Sequence, residues 1–335
     1  MTASGGVTAV GGLVRPADPV LDDFAALVGV DGPVCVAGGR TQWTVGGLPA
    51  PGTREVAAPA GVVAHQPEEM IVRVRAGTTV ATLAGTLACG GQMVPLDPAL
   101  PERATVGGVL AVGHSGFRRL RYGPVRDTVL EVRFVTAGGD LVTAGGPVVK
   151  NVTGYDLCRL MVGSLGTVGL LAEAVLRCYP VPIASRWLRS RGPGAVDPFD
   201  LLRRLYRPSS ILWDGAHVWV LLEGHPDDVA AQVTDVLGPG FGEVEGPPEA
   251  PGAERLSVTP AQLRRLPAAG GGWLAQVGVG SVLSDQATAA TLAGHLGMAW
   301  PPAVEPRVGE LHRALQARFD PAGRLNPGRL TVGVP

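Results

Sequence analysis

Three glycine-rich runs carry residue types that can hold a phosphate-bearing cofactor. They are Ala37-Gly38-Gly39-Arg40-Thr41-Gln42, Ala104-Thr105-Val106-Gly107-Gly108 with His114-Ser115-Gly116 shortly behind it, and Gly163-Ser164-Leu165-Gly166-Thr167-Val168-Gly169. Glycine lets the main chain approach a phosphate and adopt positive φ, so that successive N–H groups converge on an anion. In a chain with 49 glycines each run alone is equally an ordinary turn. No G-x-G-x-x-G stands between a strand and a helix near the start, and no G-x-x-x-x-G-K-[ST] occurs, which argues against Rossmann and P-loop folds.

The elements around these runs are legible. Residues 22–28 read as the end of a helix after Pro19, and 33–37 as a short apolar strand leading into the first run. MIVRVR, 70–75, alternates as a strand does. Residues 79–88 read as a helix capped by Thr78 or Thr79 and stopped at Gly90-Gly91. Residues 92–96 are a further strand, and the second run opens a short helix. TVLEVRFVTAGGDLVTAGG is a hairpin turning at Gly138-Gly139-Asp140. A helix over 155–162 leads to the third run, and 170–179 is a long strand ended by Pro180 and Pro182.

The glycine-rich loops stop near Pro180. Beyond it, strands (ASRWLRS, AHVWVLLEG, GGWLAQVGVGSVL) alternate with helices (PFDLLRRLY, PDDVAAQVTDVL, DQATAATLAGHL), with PPEAPGAE as a loop among them. This is an α+β layer on a mostly antiparallel sheet. GELHRALQARFDPAGRLNPGRL is a helix followed by a turn-rich terminus.

The 335 residues are enough for two domains. Hydrophobic residues at 46% and charged residues at 17% allow a sizeable core. A net charge of -1 argues against a nucleic-acid partner. Cys35, Cys89, Cys158 and Cys178 form no C-x-x-C pair, so no metal site is expected and free thiols in a reducing cytoplasm are. The first residues lack the pattern of a signal peptide, and no apolar run reaches the roughly 18 residues of a membrane span.

The order of the three runs around a hairpin resembles a known family. The segments ATVGGVLAVGHSGFRRLRYGPVRDTVLEVRFVTAGG, VVKNVTGYDLCRLMVGSLGTVGLLAEAVLRCYP and QPEEMIVRVRAGTTVATLAGTLACGGQMVPLDP are similar to the FAD-binding subunit of bacterial glycolate oxidase, in the vanillyl-alcohol oxidase and p-cresol methylhydroxylase (PCMH) superfamily. The resemblance covers most of 30–180 and resumes at RFDPAGRLNPGRL, with LLEGHPDDV a fainter match. It implies an α+β fold: a PCMH-type FAD-binding domain of two subdomains over 1–180, a small antiparallel-sheet-plus-helices cap over 181–303, and a C-terminal return to the flavin domain over 304–335.

The resemblance also implies site residues. Gly38, Gly39, Arg40, Thr41 and Gln42 match the loop that wraps the FAD pyrophosphate. Arg40 or Thr41 stands where many members carry a flavin-linking histidine, so the FAD should be non-covalent, and Arg40 sits where glycine is usual. Thr105, Val106, Gly107 and Gly108 match the second loop, followed by His114, Ser115 and Gly116 as the chain passes the flavin. His114 either faces the isoalloxazine as the one candidate acid or base near pH 7, or bonds a loop carbonyl. Gly163, Ser164, Thr167, Gly169 and Leu170 match the segment at the isoalloxazine edge, with Leu165 where many relatives have Glu. Tyr122, Gly123 and Asp127 read as architectural, Asn326 as part of the C-terminal return, and Arg118, Arg119, Arg121 and Arg126 as cations for FAD phosphates, a partner or solvent.

The implied activity is oxidation of a 2-hydroxy acid, or relay of its electrons, through FAD. No H-x-G-D-G-N-x-H segment is present, and the Trp213–His217 stretch is only a faint echo of it. Three alternatives therefore stand. One is a subunit working with a second flavin subunit and an iron–sulfur subunit, in the cytoplasm or peripherally at a membrane through that complex. Another is a stand-alone oxidoreductase on another alcohol or hydroxy acid. The last is a non-redox scaffold or cyclase. Lys150, the only lysine, falls in the family-specific K-N-V-x-G-Y-D stretch. It is expected in a confined site near the flavin or bracing the Tyr155-Asp156 turn, where an arginine fork would not fit. Thr153 or Asp156 caps the helix that follows.

Overall fold

The computed structural model describes residues 18–146, 156–268, 271–302 and 304–329. Lys150, Thr153 and Tyr155, singled out above, lie outside the described residues. Helix α1 (Pro19–Val28) leads to β1 (Val34–Val36) and β2 (Arg54–Val56), a parallel pair. Then come β3 (Val62–Gln66), β4 (Ile71–Arg75), α2 (Val80–Ala88), β5 (Gln92–Met93), α3 (Val106–Val112), α4 (Arg119–Tyr122), β6 (Val129–Val135), β7 (Leu141–Gly145), α5 (Leu157–Met161), β8 (Leu170–Arg177) and β9 (Tyr179–Pro180). The second half runs β10 (Ala184–Ser190), α6 (Pro198–Arg204), β11 (Ser210–Trp213), β12 (Val218–Gly224), α7 (Pro226–Gln232), β13 (Phe241–Val244), β14 (Glu254–Ser257), α8 (Pro260–Leu263), β15 (Trp273–Gln276), β16 (Ser281–Ser284), α9 (Gln286–Leu296) and α10 (Pro306–Phe319).

Local chemistry sets several of these boundaries. The Thr79 hydroxyl accepts the Thr82 N–H at 3.2 Å and starts α2, a cap of about 1 kcal/mol. Asp156 does the same for α5. The hairpin β6–β7 turns through Gly139 at φ 84°. The run 271–283, which reads as one strand, is instead the hairpin β15–β16. Gly278 at φ 83° and Gly280 at φ 78° reverse the chain, and the flanking strands are buried on both faces, so alternation does not reveal it.

Strands β3-β4-β8-β6-β7 form a five-stranded antiparallel sheet. One face buries Val72, Val74, Val132, Phe134, Ala174 and Leu176 against α2, α3 and α5. The other carries an ion-pair network in which Arg73 meets both Glu131 and Glu173 at 2.8 Å. The β1–β2 pair packs with α1 on Val135, Leu170 and Ala172 as a separate cluster. Leu325 closes that cluster by bridging to Val34, so the chain end returns to the first strand.

The second half builds a seven-stranded antiparallel sheet, β13-β10-β12-β11-β15-β16-β14. One face is covered by its own helices, with Leu201, Val229 and Leu292 in that core. The other face, bearing Leu212, Trp219, Leu274 and Leu283, packs against Phe117 of the first half. The α+β class read from the sequence is the fold observed.

Candidate functional site

The first glycine-rich run leaves β1 with its donors free. Ala37 N–H donates to the Val56 carbonyl at 2.9 Å and ends the β1–β2 ladder. From Gly38 through Gln42, no main-chain N–H meets an acceptor among the described residues. Arg40 holds φ 56°, a left-handed conformation that lets neighbouring N–H groups converge. This is the geometry of an anion nest.

The second run presses against the first. A Cβ on Gly39 would lie 1.7 Å from the Arg103 carbonyl oxygen, and one on Gly38 2.4 Å from Thr105 Oγ1. Thr105 caps α3, its hydroxyl accepting the Gly108 N–H at 3.2 Å. Val106 N–H donates to Thr78 O at 2.8 Å and Gly107 N–H to Ala76 O at 2.7 Å. The N–H groups of this turn are therefore spent inside the protein. Its glycines provide close approach, since a Cβ on Gly107 would come 2.7 Å from Ala76 Cβ.

The third run is also closed on itself. Gly163 N–H donates to Leu110 O, Leu165 N–H to Ala111 O and Thr167 N–H to Ser164 O, at 2.9 to 3.0 Å. Ser164 Oγ donates to Met161 O at 2.8 Å. The C-terminal return completes the arrangement. Asn326 N–H donates to Val34 O at 2.7 Å, and its side-chain amide donates to the Leu165 carbonyl.

These segments line two adjoining pockets, open to solvent, of about 580 and 810 Å³. Val36, Gly38, Thr105, Gly108, Ala111, Leu165 and Asn326 line both. Gly39, Arg40, Thr41 and Gln42 line one end; Gly107, Gly169 and Leu170 line the other. Arg40, Leu165 and Asn326 all hold positive φ, at 56°, 53° and 44°. Non-glycine residues held in this conformation gather at functional sites because the surrounding structure must enforce it. Two enclosed polar atoms, Gln42 Oε1 and Asn326 Oδ1, have no partner.

Other expected residues do not line the cleft. Val106 is core, and Ser164 and Thr167 are buried in their own turn. Ser115 accepts the Val125 N–H at 2.9 Å. Gly116 is held against Asp97, with no room for a Cβ. His114 sits just past the cleft-lining Val112. Burial, then the positive charges of Arg255 and Arg119, push its pKa down to about 3. So lowered, it stands as a neutral imidazole at pH 7. Two arginines of the basic stretch turn to the seven-stranded sheet rather than to the cleft. Arg118 pairs with the buried Glu223 at 2.9 Å, and Arg121 donates to the Glu223 carbonyl. Asp127 holds Arg159 of α5 at 3.2 Å, an architectural role. His217 closes a turn with Asp214, whose carboxylate accepts the His217 N–H at 2.7 Å.

The cleft also has lining residues that the sequence left unmarked: Trp43, Gly77 and Arg329. Arg329 donates to the carbonyls of Trp43, Val45 and Gly47 and stacks 4.6 Å from the Trp43 ring. Its place in RLNPGRL and the Trp43 beside the first run were the available signals.

Comparison with known proteins bears on the kind of ligand. Residues 31–145 match the model of the family described as FAD binding domain. Over this stretch the chain is similar to an FAD binding domain. The match spans the first two runs and the hairpin. The chain is 35% identical over 210 residues to glycolate oxidase subunit GlcE of Escherichia coli (strain K12), covering 62% of this chain and 60% of that protein. It is 36% identical over 121 residues to glycolate oxidase subunit GlcD of Bacillus subtilis (strain 168), covering 26% of that protein. It thus spans less than two thirds of either relative. Among solved structures, an alkyldihydroxyacetonephosphate synthase superposes with TM-score 0.69 at 18% identity over 91% of this chain, a likeness of fold.

The cleft suits FAD on its own terms. The free N–H groups of 38–42 match a pyrophosphate, and the apolar walls at Val36, Val109, Ala111 and Leu165 match a flat ring system. Among the described residues no group of His, Cys, Asp and Glu is placed to hold a metal ion, and no helix is long and apolar enough to cross a membrane.

Proposed function

We propose that this chain is an FAD-dependent oxidoreductase of the glycolate oxidase type, acting on a 2-hydroxy acid or relaying its electrons. The observation that carries this reading is the nest of free N–H groups over 38–42, set in a chain similar to two glycolate oxidase subunits. Residues 1–180 and 304–335 would form the flavin-holding part, and 181–303 the cap.

Gly38, Gly39, Arg40, Thr41 and Gln42 would bind the pyrophosphate through main-chain donors. Thr105, Val106, Gly107 and Gly108 would fix α3 beneath it. Gly163, Ser164, Thr167, Gly169 and Leu170 would position Leu165 at the ring, steadied by Asn326. With neither a histidine nor a cysteine among 38–42, the attachment would be non-covalent. Bound FAD supplies a two-electron acceptor. Oxidation of the substrate removes hydrogen from its C2 and the hydroxyl proton, leaving a 2-oxo acid. His114, held neutral, can orient the substrate through a hydrogen bond but is too weakly basic to take that proton at pH 7.

Partners of the relay would be a second flavin subunit and an iron–sulfur subunit, in the cytoplasm or peripherally at a membrane through them. Anaerobic titration of the purified holoprotein with glycolate, D-lactate and simple alcohols tests the reading. Bleaching of the flavin absorbance by a hydroxy acid is the expected result for direct turnover. Bleaching only after addition of the partner subunits would assign the relay role. A protein that cannot be loaded with FAD would overturn both.

A further inference from the structure

The chain end brings one guanidinium to the cleft. Asn326-Pro327-Gly328-Arg329 turns back on the loop that follows the first glycine-rich run. Ala50 N–H donates to the Pro327 carbonyl at 2.7 Å. Gly328 holds φ 90°, and a Cβ on it would lie 2.8 Å from the Leu48 carbonyl oxygen, so a side chain there would hold the two segments apart. Arg329 is thereby packed to 7% exposure in the wall of the 580 Å³ pocket, which the first run also lines.

Arg329 uses its donors unevenly. Nη1 alone serves the carbonyls of Trp43, Val45 and Gly47. Nε has no partner, and no described residue accepts from Nη2. Nε and Nη2 make up one edge of the guanidinium. Their N–H groups point the same way and match two oxygens of a single phosphate or carboxylate.

No acid of the protein takes that edge. Among the described residues Arg329 makes no ion pair. Glu55 is engaged by Arg40. Neither pocket has an Asp or Glu in its lining. A guanidinium buried without a counter-charge is costly, and burial accordingly lowers the pKa of Arg329 from its ordinary value. The 810 Å³ pocket has no charged residue at all, so the Arg329 end of the cleft is the end suited to an anion.

We propose that the Nε–Nη2 edge of Arg329 binds one phosphate of the FAD pyrophosphate, beside the free N–H groups of 38–42. This rests on the FAD reading above and adds to it a side-chain cation from the far end of the chain. The pyrophosphate would meet main-chain donors and a counter-charge in one pocket. The Nη1 bonds hold 43–47, the continuation of the first run, so the fork and the nest are positioned together.

The test uses the full chain stripped of flavin. FAD binding is followed by flavin fluorescence over a range of salt concentrations, and inorganic pyrophosphate binding by calorimetry. Pyrophosphate should bind and compete with FAD. Arg329→Met should weaken both ligands about tenfold to a hundredfold and flatten the salt dependence of FAD binding. Arg329→Lys keeps the charge without the fork, so it should keep the salt dependence and recover only part of the affinity. Weaker FAD binding with an unchanged salt dependence in Arg329→Met would mark a purely structural role and overturn the fork. Should that variant fail to fold, Arg329→Lys decides through pyrophosphate: unchanged affinity overturns the fork. Oxalate binding to the FAD-loaded chain that depends on Arg329 would assign the edge to a carboxylate and overturn it too. Arg329-dependent pyrophosphate binding in a chain that takes up no FAD would leave the fork standing and overturn the flavin reading instead.

Discussion

Asn326 donates its side-chain amide to the main-chain carbonyl of Leu165, and both residues hold left-handed backbone conformations, at φ 44° and 53°. The bond ties the C-terminal return to the third glycine-rich turn at the wall of the cleft. Asn326→Ala should leave that carbonyl unpaired and place alanine at positive φ. A loss of about 2–3 kcal/mol in stability is expected by urea denaturation, with weaker FAD binding. Asn326→Gly, which tolerates the conformation, should isolate the hydrogen-bond part.

Gly39→Ala should abolish FAD binding. The new methyl would collide with the Arg103 carbonyl, and relief requires the first two loops to separate. Gly85→Ala is the control: it lies in α2 with open space around it, and should stabilise the protein by up to about 1 kcal/mol. Flavin content of the two purified variants, read by absorbance, checks the contrast.

Arg118→Ala should cost about 3 kcal/mol or more, because Glu223 is fully buried and would lose its cation. Replacing both, as Arg118→Met with Glu223→Leu, should recover most of the loss. Chemical denaturation of the single and double variants measures this.

Asp97 and His114 should impose opposing pH dependences on stability. The folded-state pKa of Asp97 is raised from 3.8 to about 6, so the folded state binds more protons in that window and stability falls as pH rises through it. The pKa of His114 is lowered from 6.5 to about 3, so its stabilising effect is complete above the unfolded value and is lost as pH falls toward the folded one. His114→Gln should then leave a protein that gains stability on acidification from pH 6 to 4. Asp97→Asn should leave one that loses it between pH 6.5 and 3, at up to about 1.4 kcal/mol per pH unit. Urea midpoints over pH 4–7 for both variants check the signs.

The sequence by itself determined what rests on short separations. Thr79 and Asp156 cap their helices through bonds three residues away, and Gly139 turns its hairpin within a few residues. The order of three glycine-rich runs also pointed to FAD, because turn chemistry and close approach are written in the residue types themselves. Tertiary structure alone decided the rest. Which run keeps its N–H groups free depends on what packs beside it: Gly107 spends its donor on Ala76, while Gly38 to Gln42 meet none among the described residues. Arg118 faces Glu223 across 105 residues of sequence, and Asn326 faces Leu165 across 161. No local pattern encodes such pairs. They follow from how two sheets and a returning chain end pack, and that packing turns three ordinary glycine turns into one cleft.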